Sequence, residues 1–268
     1  MNDGVTSEMS WLAEAEAHLA EGDLDGALTL AAAAYASLKA AGRPSGAAAR
    51  TLAVVHQSRE DWARAAVFAD EALAELDEDE PLVLAEALHA RAVTHLQQGE
   101  LTDASPLLER AAELLKAHGV VHDYAAVMLT FAEISLASGQ RGDAEAVFQN
   151  VLAEVQQTEP ESEEHASLLN SLTAKAFLGL GSAAVQALAG AEIPGGDHPV
   201  SRTELAKDML SRAVEFIEAA HGAAHPETIE VLEAVVALYR MLGEDGEAAE
   251  VGARLVTAQS MLREVDQA

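Results

Sequence analysis

One short motif returns along this chain: a glycine-containing turn followed five residues later by alanine. It reads Gly22–Ala27, Gly99–Ala104, Gly139–Ala144 and Gly243–Ala248, with Glu60–Ala65 as a variant. Twelve residues before each alanine stands another small or medium apolar residue: Ala15, Ala53, Ala92, Ala132 and Val236. A fixed period of this length means one supersecondary unit stacked on itself, because a single unit cannot bury its own apolar faces. The turn alanine advances by 38, 39 and 40 residues (27, 65, 104, 144), then by 104 to Ala248. That last gap holds two units and an insertion of about twenty residues.

Each unit reads as helix, turn, helix. The first carries Trp11, Ala15 and His18, then Ala27, Ala31 and Ala34 on one helix face. The second carries Leu52, Ala53 and His56, then Ala65, Ala69 and Ala72. The third has Leu88, Ala92 and His95 before the turn and Ala104, Leu108 and Ala111 after it. The fourth has Met128, Phe131 and Ala132, then Ala144, Phe148 and Val151. The fifth is predicted from Leu169, Leu172, Thr173 and Ala176, then Ala206, Leu210 and Ala213. The sixth has Leu232, Val236 and Tyr239, then Ala248 and Leu255. Two linkers, His118-Gly119-Val120-Val121-His122 and His221-Gly222-Ala223-Ala224-His225, resemble each other and support duplication independently. The expected architecture is one all-α domain over 1–268, an α-solenoid of about six helix-turn-helix repeats. An inserted loop is expected at about 188–201 in the fifth repeat, where Gly190 to Pro199 breaks the pattern.

Composition agrees. Alanine supplies 58 of 268 residues, and only 4% are aromatic. Alanine has the best helix propensity and lets helix backbones approach closely. The net charge of −29 sets the chain against a nucleic-acid backbone or an anionic membrane surface. It suits solubility, salt tolerance or the steering of a basic partner. With no cysteine, there is no thiolate metal site or thiol nucleophile. The first residues lack a secretory pattern and no run of 18 apolar residues occurs, so a cytoplasmic location is the expectation.

Three stretches resemble the tetratricopeptide repeat family, in the longer, roughly forty-residue variety of kinesin light chains and many bacterial repeat proteins. They are Leu52 to His56 with Asp61-Trp62-Ala63-Arg64-Ala65, Ser105-Pro106-Leu107-Leu108-Glu109-Arg110-Ala111, and His221 to Thr228 with Leu238-Tyr239-Arg240 and Leu242-Gly243. The resemblance implies a right-handed superhelix whose first helices line a concave wall. That variety often carries groove asparagines, and here only Asn170 sits in such a place. The lysine, arginine and asparagine set of the carboxylate-clamp class is missing from the first helices, which disfavours that class.

On helical spacing the wall is predicted to present Leu12, Glu16 and Leu19, then Arg50, Val54 and Gln57, then Glu86, His89, Val93 and Leu96. Leu129, Glu133 and Leu136 follow, then Asn170 and Phe177, then Glu233 and Arg240. Such a mixed apolar and acidic groove suits a peptide or amphipathic helix with basic flanks. The alternative for the leucines and valines is packing between neighbouring units.

Other constellations are weaker. His118/His122 and His221/His225 have ligand spacing, but each pair contains a glycine and reads as helix caps and linkers. His18, His56 and His95 occupy equivalent places, where the sixth unit has Tyr239, and read as inter-helix fillers rather than a pH-sensing ladder. The acidic runs Asp77–Glu80 and Glu159–Glu164 lack a calcium-loop pattern. No nucleophile, base and anion hole come together, and no metal or cofactor is expected. The expected function is a non-catalytic adaptor or regulator that binds another protein. Self-association into a homodimer is the alternative, and an enzyme using the inserted loop as a lid is the least supported.

Overall fold

The computed structural model describes residues 3–189 and 199–265, and every regular element in them is an α-helix. In chain order these are α1 (Asp3–Glu21), α2 (Leu24–Ala40), α3 (Gly46–Ser58), α4 (Trp62–Glu75), α5 (Pro81–Gln98) and α6 (Leu101–His118). They continue as α7 (Val121–Ala137), α8 (Arg141–Gln157), α9 (Glu163–Ala189), α10 (Pro199–His221), α11 (Pro226–Leu242) and α12 (Asp245–Val265). Of the expected pairs, α1/α2, α3/α4, α5/α6, α9/α10 and α11/α12 pack directly together. Residues 190–198 of the expected inserted loop lie outside the described residues, and its two ends belong to α9 and α10.

The recurrent turn has one construction. Gly22, Gly99, Gly139 and Gly243 all adopt positive φ, between 76° and 80°, and Glu60 does so at 56°. This left-handed residue ends the first helix of the pair. The next residue (Asp23, Asp61, Glu100, Gln140 or Glu244) donates its N–H back to the carbonyl of His18, His56, His95, Ser135 or Tyr239 at 2.8–3.0 Å. The same residue caps the following helix, its carbonyl accepting from the N–H of Ala27, Ala65, Ala104, Ala144 or Ala248 at 2.9–3.3 Å. In two turns the cap is reinforced by a side chain, Asp23 to Gly26 N–H and Asp61 to Arg64 N–H. The turn alanines and their partners twelve residues upstream are at most 5% exposed. A small side chain is needed at these crossings because the turn is too tight to hold two helices further apart.

The backbone separates into two compact units, residues 1–130 and 131–268. In the first, α1/α2, α3/α4 and α5/α6 pair, and α2 packs on α3 and α4 on α5. Its core is built of alanine clusters: Ala15, Ala31 and Leu52; Ala53, Ala69 and Ala90; Ala49, Ala72, Leu76 and Ala87. Larger rings close the seams. Phe68 stacks on His56 at 5.4 Å and meets Tyr35 edge-on at 5.6 Å. The Tyr35 hydroxyl donates to Glu71 at 2.7 Å, and Lys39 bridges Glu71 and Glu75.

In the second unit α9/α10 and α11/α12 pair, with α8 on α9 and α10 on α11. Its core uses bulkier residues, led by Phe148, Leu210, Ile217 and Leu232. Two glycines in α9 make room for them. A Cβ on Gly179 would stand 2.3 Å from the Phe148 ring, and one on Gly181 would stand 2.6 Å from Leu210. With 27 and 23 residues, α9 and α10 are the longest helices described. By length and composition α9 could cross a bilayer, but 61% of that stretch is buried, as in a core helix.

Candidate partner-binding face

In residues 1–130 the first helices α3 and α5, with the start of α7, enclose a recess of about 230 Å³. Six predicted residues line it: Arg50, Val54, Gln57, Glu86, His89 and Val93. The recess also includes Ala85, Ala90, Leu115, Asp123 and Val127. The Arg50 guanidinium joins Glu16 at 2.6 Å and Glu86 at 3.1 Å. Gln57 donates to the Ala90 carbonyl and to Thr94 Oγ1. His89 Nε2 and Thr130 Oγ1 are 2.8 Å apart. The recess therefore combines apolar walls with the carboxylates of Glu86 and Asp123.

The acids here titrate high. Burial pushes the Glu86 carboxyl up; Arg50 opposes this, while Asp123 and Glu16 add repulsion. Burial likewise raises Asp123, against the pull of His122 and Arg50. One guanidinium serves three carboxylates.

The remaining candidates divide. Leu12 turns inward against Ala34, Leu38 and Ala48. Leu19 and Leu96 are half-buried and outside the recess, and Leu129, only 3% exposed, is a packing residue rather than a groove residue.

In residues 131–268 a second recess, of about 370 Å³, contains the predicted Glu133 and Leu136 with Lys175, Leu178, Ser182, Ala234 and Leu238. Glu133 is walled in by protein yet open to water; burial raises its carboxyl and Lys175 opposes the rise. Phe177 lies on the opposite face of α9. It stacks with Phe216 at 5.7 Å and carries the Arg212 guanidinium at 5.5 Å. Asn170, seven residues upstream and half-buried, falls on the Phe177 side. Phe177 lines a separate recess of about 420 Å³ with Leu152, Leu180 and Met209 instead, because both faces of this long helix are covered and the sequence pattern does not distinguish them. On α11 the predicted residues lie beside those that line the recess. Glu233 is held by Gln259 of α12 at 3.0 Å and Arg240 is exposed, whereas Ala234 and Leu238 face the recess.

Sequence reasoning also missed a polar knot in this unit. The Glu227 carboxylate accepts from Ser171 Oγ at 2.9 Å and meets Lys175 at 3.1 Å and His221 at 3.5 Å. Burial alone would raise its pKa, but His221, Lys175 and Ser171 outweigh burial and hold it far below the usual carboxylate range. The His221 and His225 rings stack at 4.2 Å, and His225 caps α11 by accepting from the Glu227 N–H. The duplicated linker containing both histidines was the available signal.

For metal chemistry, ligand-type atoms of His95, Glu100 and Asp103 lie within 4.8 Å of one another. The His95–Glu100 contact at 2.7 Å repeats His18–Asp23 at 2.8 Å and His56–Asp61 at 3.8 Å, so its origin is the turn itself.

No protein-family model and no curated protein sequence matches this chain. Among solved structures it is similar to BtubC (BKLC) from P. vanneervenii, with 17% identity, a TM-score of 0.53, and coverage of 97% of this chain and 92% of that one. It is also similar to nearly identical TPR-like repeats of kinesin-light-chain type from Podosopora anserina, with 17% identity, a TM-score of 0.47, and coverage of 81% and 95%. The fold is that of the tetratricopeptide repeat proteins. Here α3, α5 and α7, with Leu115 of α6, supply the walls of the first recess, and α7, α9 and α11 supply most of the second.

Proposed function

We propose that this tetratricopeptide protein is a non-catalytic interaction scaffold that docks an extended or helical segment of another protein on its first-helix face. The observation behind this reading is the recess of residues 1–130, where six independently predicted residues from α3 and α5 converge around apolar walls. Clefts of this kind, with apolar walls and a few placed polar groups, are what peptide segments use. Affinity capture from native extract, with wild type beside Val54→Ser/Val93→Ser, tests it. Loss of most of the captured partner is expected, and undiminished capture would move docking off this face.

A second reading is self-association through α12, whose Val256 and Met261 are 67% and 45% exposed. Exposed apolar side chains of this size on one helix are what a self-complementary contact would cover. Sedimentation equilibrium decides it: a dimer at micromolar concentration that Val256→Glu dissolves supports the reading, and monomer throughout removes it.

A further inference from the structure

The recess of residues 1–130 also indicates what enters it. Its volume, about 230 Å³, is far more than the ~30 Å³ share of one water and less than the roughly 300–1,000 Å³ of small-ligand sites. That size suits a single side chain. Its walls are aliphatic, with Val54, Val93 and Val127 among them. The polar end is anionic. Arg50 is already shared between Glu16 and Glu86, and Asp123 has His122 at 3.5 Å.

An apolar occupant would strip water from these carboxylates and give them nothing in return. An acidic occupant would add a like charge in a partly desolvated site. A cation on an aliphatic stem satisfies both parts of the lining, since lysine and arginine bury their stems and keep their charged ends at polar atoms. The chain's net charge of −29 would draw such a group in from a distance.

We propose that this recess accepts a lysine or arginine side chain of the partner protein, its stem against Val54, Val93 and Val127 and its charge between Glu86 and Asp123. The proposal rests on the reading of this face as a docking surface and adds the chemistry of the docked residue.

The test is selection of displayed random dodecapeptides on the full chain at about 0.15 M salt, where long-range attraction is screened beyond ~8 Å. It is repeated on Glu86→Gln/Asp123→Asn and on a control of equal charge, Glu109→Gln/Glu154→Gln, both exposed and outside the recess. Circular dichroism verifies that each variant keeps its helices. The expected result is enrichment of peptides with lysine or arginine beside aliphatic residues. Their affinity should fall at least about tenfold on the recess variant and less than about twofold on the control. Peptides selected without a basic residue, or bound equally by the recess variant, overturn the cation site and leave the docking face standing. Equal losses on both variants overturn it too, by showing attraction to net charge alone. If no peptide is selected, the docking reading of this face falls with the proposal.

Discussion

At the scale of the residue, two positions carry opposite strain. Glu60 is the one non-glycine residue with positive φ among those described, in a place where the other four turns use glycine. A Cβ in the left-handed region costs about 1–2 kcal/mol, partly offset by the greater chain entropy a glycine would lose on folding. Glu60→Gly is therefore expected to raise unfolding free energy by up to about 1 kcal/mol in urea titration. Gly179 is the reverse case. Its missing Cβ is the space into which the Phe148 ring fits, so Gly179→Ala should destabilise by about 1–3 kcal/mol through overpacking. Phe148→Ala, which empties a fully buried site, should cost about 3–5 kcal/mol. If both variants melted with the wild type, the close contact would not exist in solution.

His56 adds a pH effect of known sign. Burial lowers its pKa below the ordinary histidine value, with Asp61 opposing and Arg64 and Arg59 assisting. The folded chain then binds fewer protons at this ring than the unfolded chain. Stability is present above the unfolded value, about 6.5, and is lost as pH falls through the lower folded value. Tyr239 fills the equivalent place in the sixth pair, so His56→Tyr is expected to fold and to lose less stability than wild type between about pH 7 and pH 5.5. Equal losses would show that the ring titrates as it does in water.

At the scale of the element, the helix pairs were legible because their determinants are local. Left-handed glycine, capping acid and turn alanine lie within six residues, and no tertiary information is needed to recognise them. The face presented by each helix was less legible. On α3 and α5, whose sequence alternates clearly between alanine seam and polar edge, all the predicted residues except Leu96 line one recess. On α9 the prediction chose Phe177 and Asn170 where Lys175, Leu178 and Ser182 line the recess, because a helix covered on both sides lacks a contrasting polar stripe. The knot around Glu227 was invisible for another reason. Its members come from α9, the end of α10 and the start of α11, and only folding brings Ser171 to Glu227. That knot should behave as a clasp with an acid limit. A depressed carboxyl stabilises above its unfolded pKa, about 4.3, and loses that contribution as pH falls through the folded value. Ser171→Ala should cost about 1 kcal/mol at pH 7, with the gap to wild type closing in strong acid. A gap independent of pH would detach Ser171 from the carboxylate.

At the scale of the whole molecule, 45 acidic residues against 16 basic ones make self-repulsion a general load on the folded state. Burial is the main cause of the raised pKa values of Glu86, Asp123 and Glu133, and at Glu86 repulsion from Asp123 and Glu16 adds to it. For such groups the folded state is favoured below the unfolded pKa, and that advantage disappears as pH rises through the folded value. Added salt should therefore raise the melting temperature measurably between about 0.02 and 0.5 M sodium chloride at pH 7.5, because screening weakens repulsion. A melting temperature that falls or stays level would mean that ion pairs such as Lys39 with Glu71 and Glu75 outweigh the excess charge. Composition disclosed the net sign of this charge, while only the fold shows which carboxylates are also buried.

The five like-built turns also bear on how the chain reaches its native state. Each closes with hydrogen bonds between residues four to five apart, and none waits for a distant strand or a disulfide. Contacts so near in sequence form quickly and lose little loop entropy. Refolding therefore has five interchangeable starting points, and crippling any one of them should slow the reaction only slightly, since another can nucleate and its neighbours can grow from it.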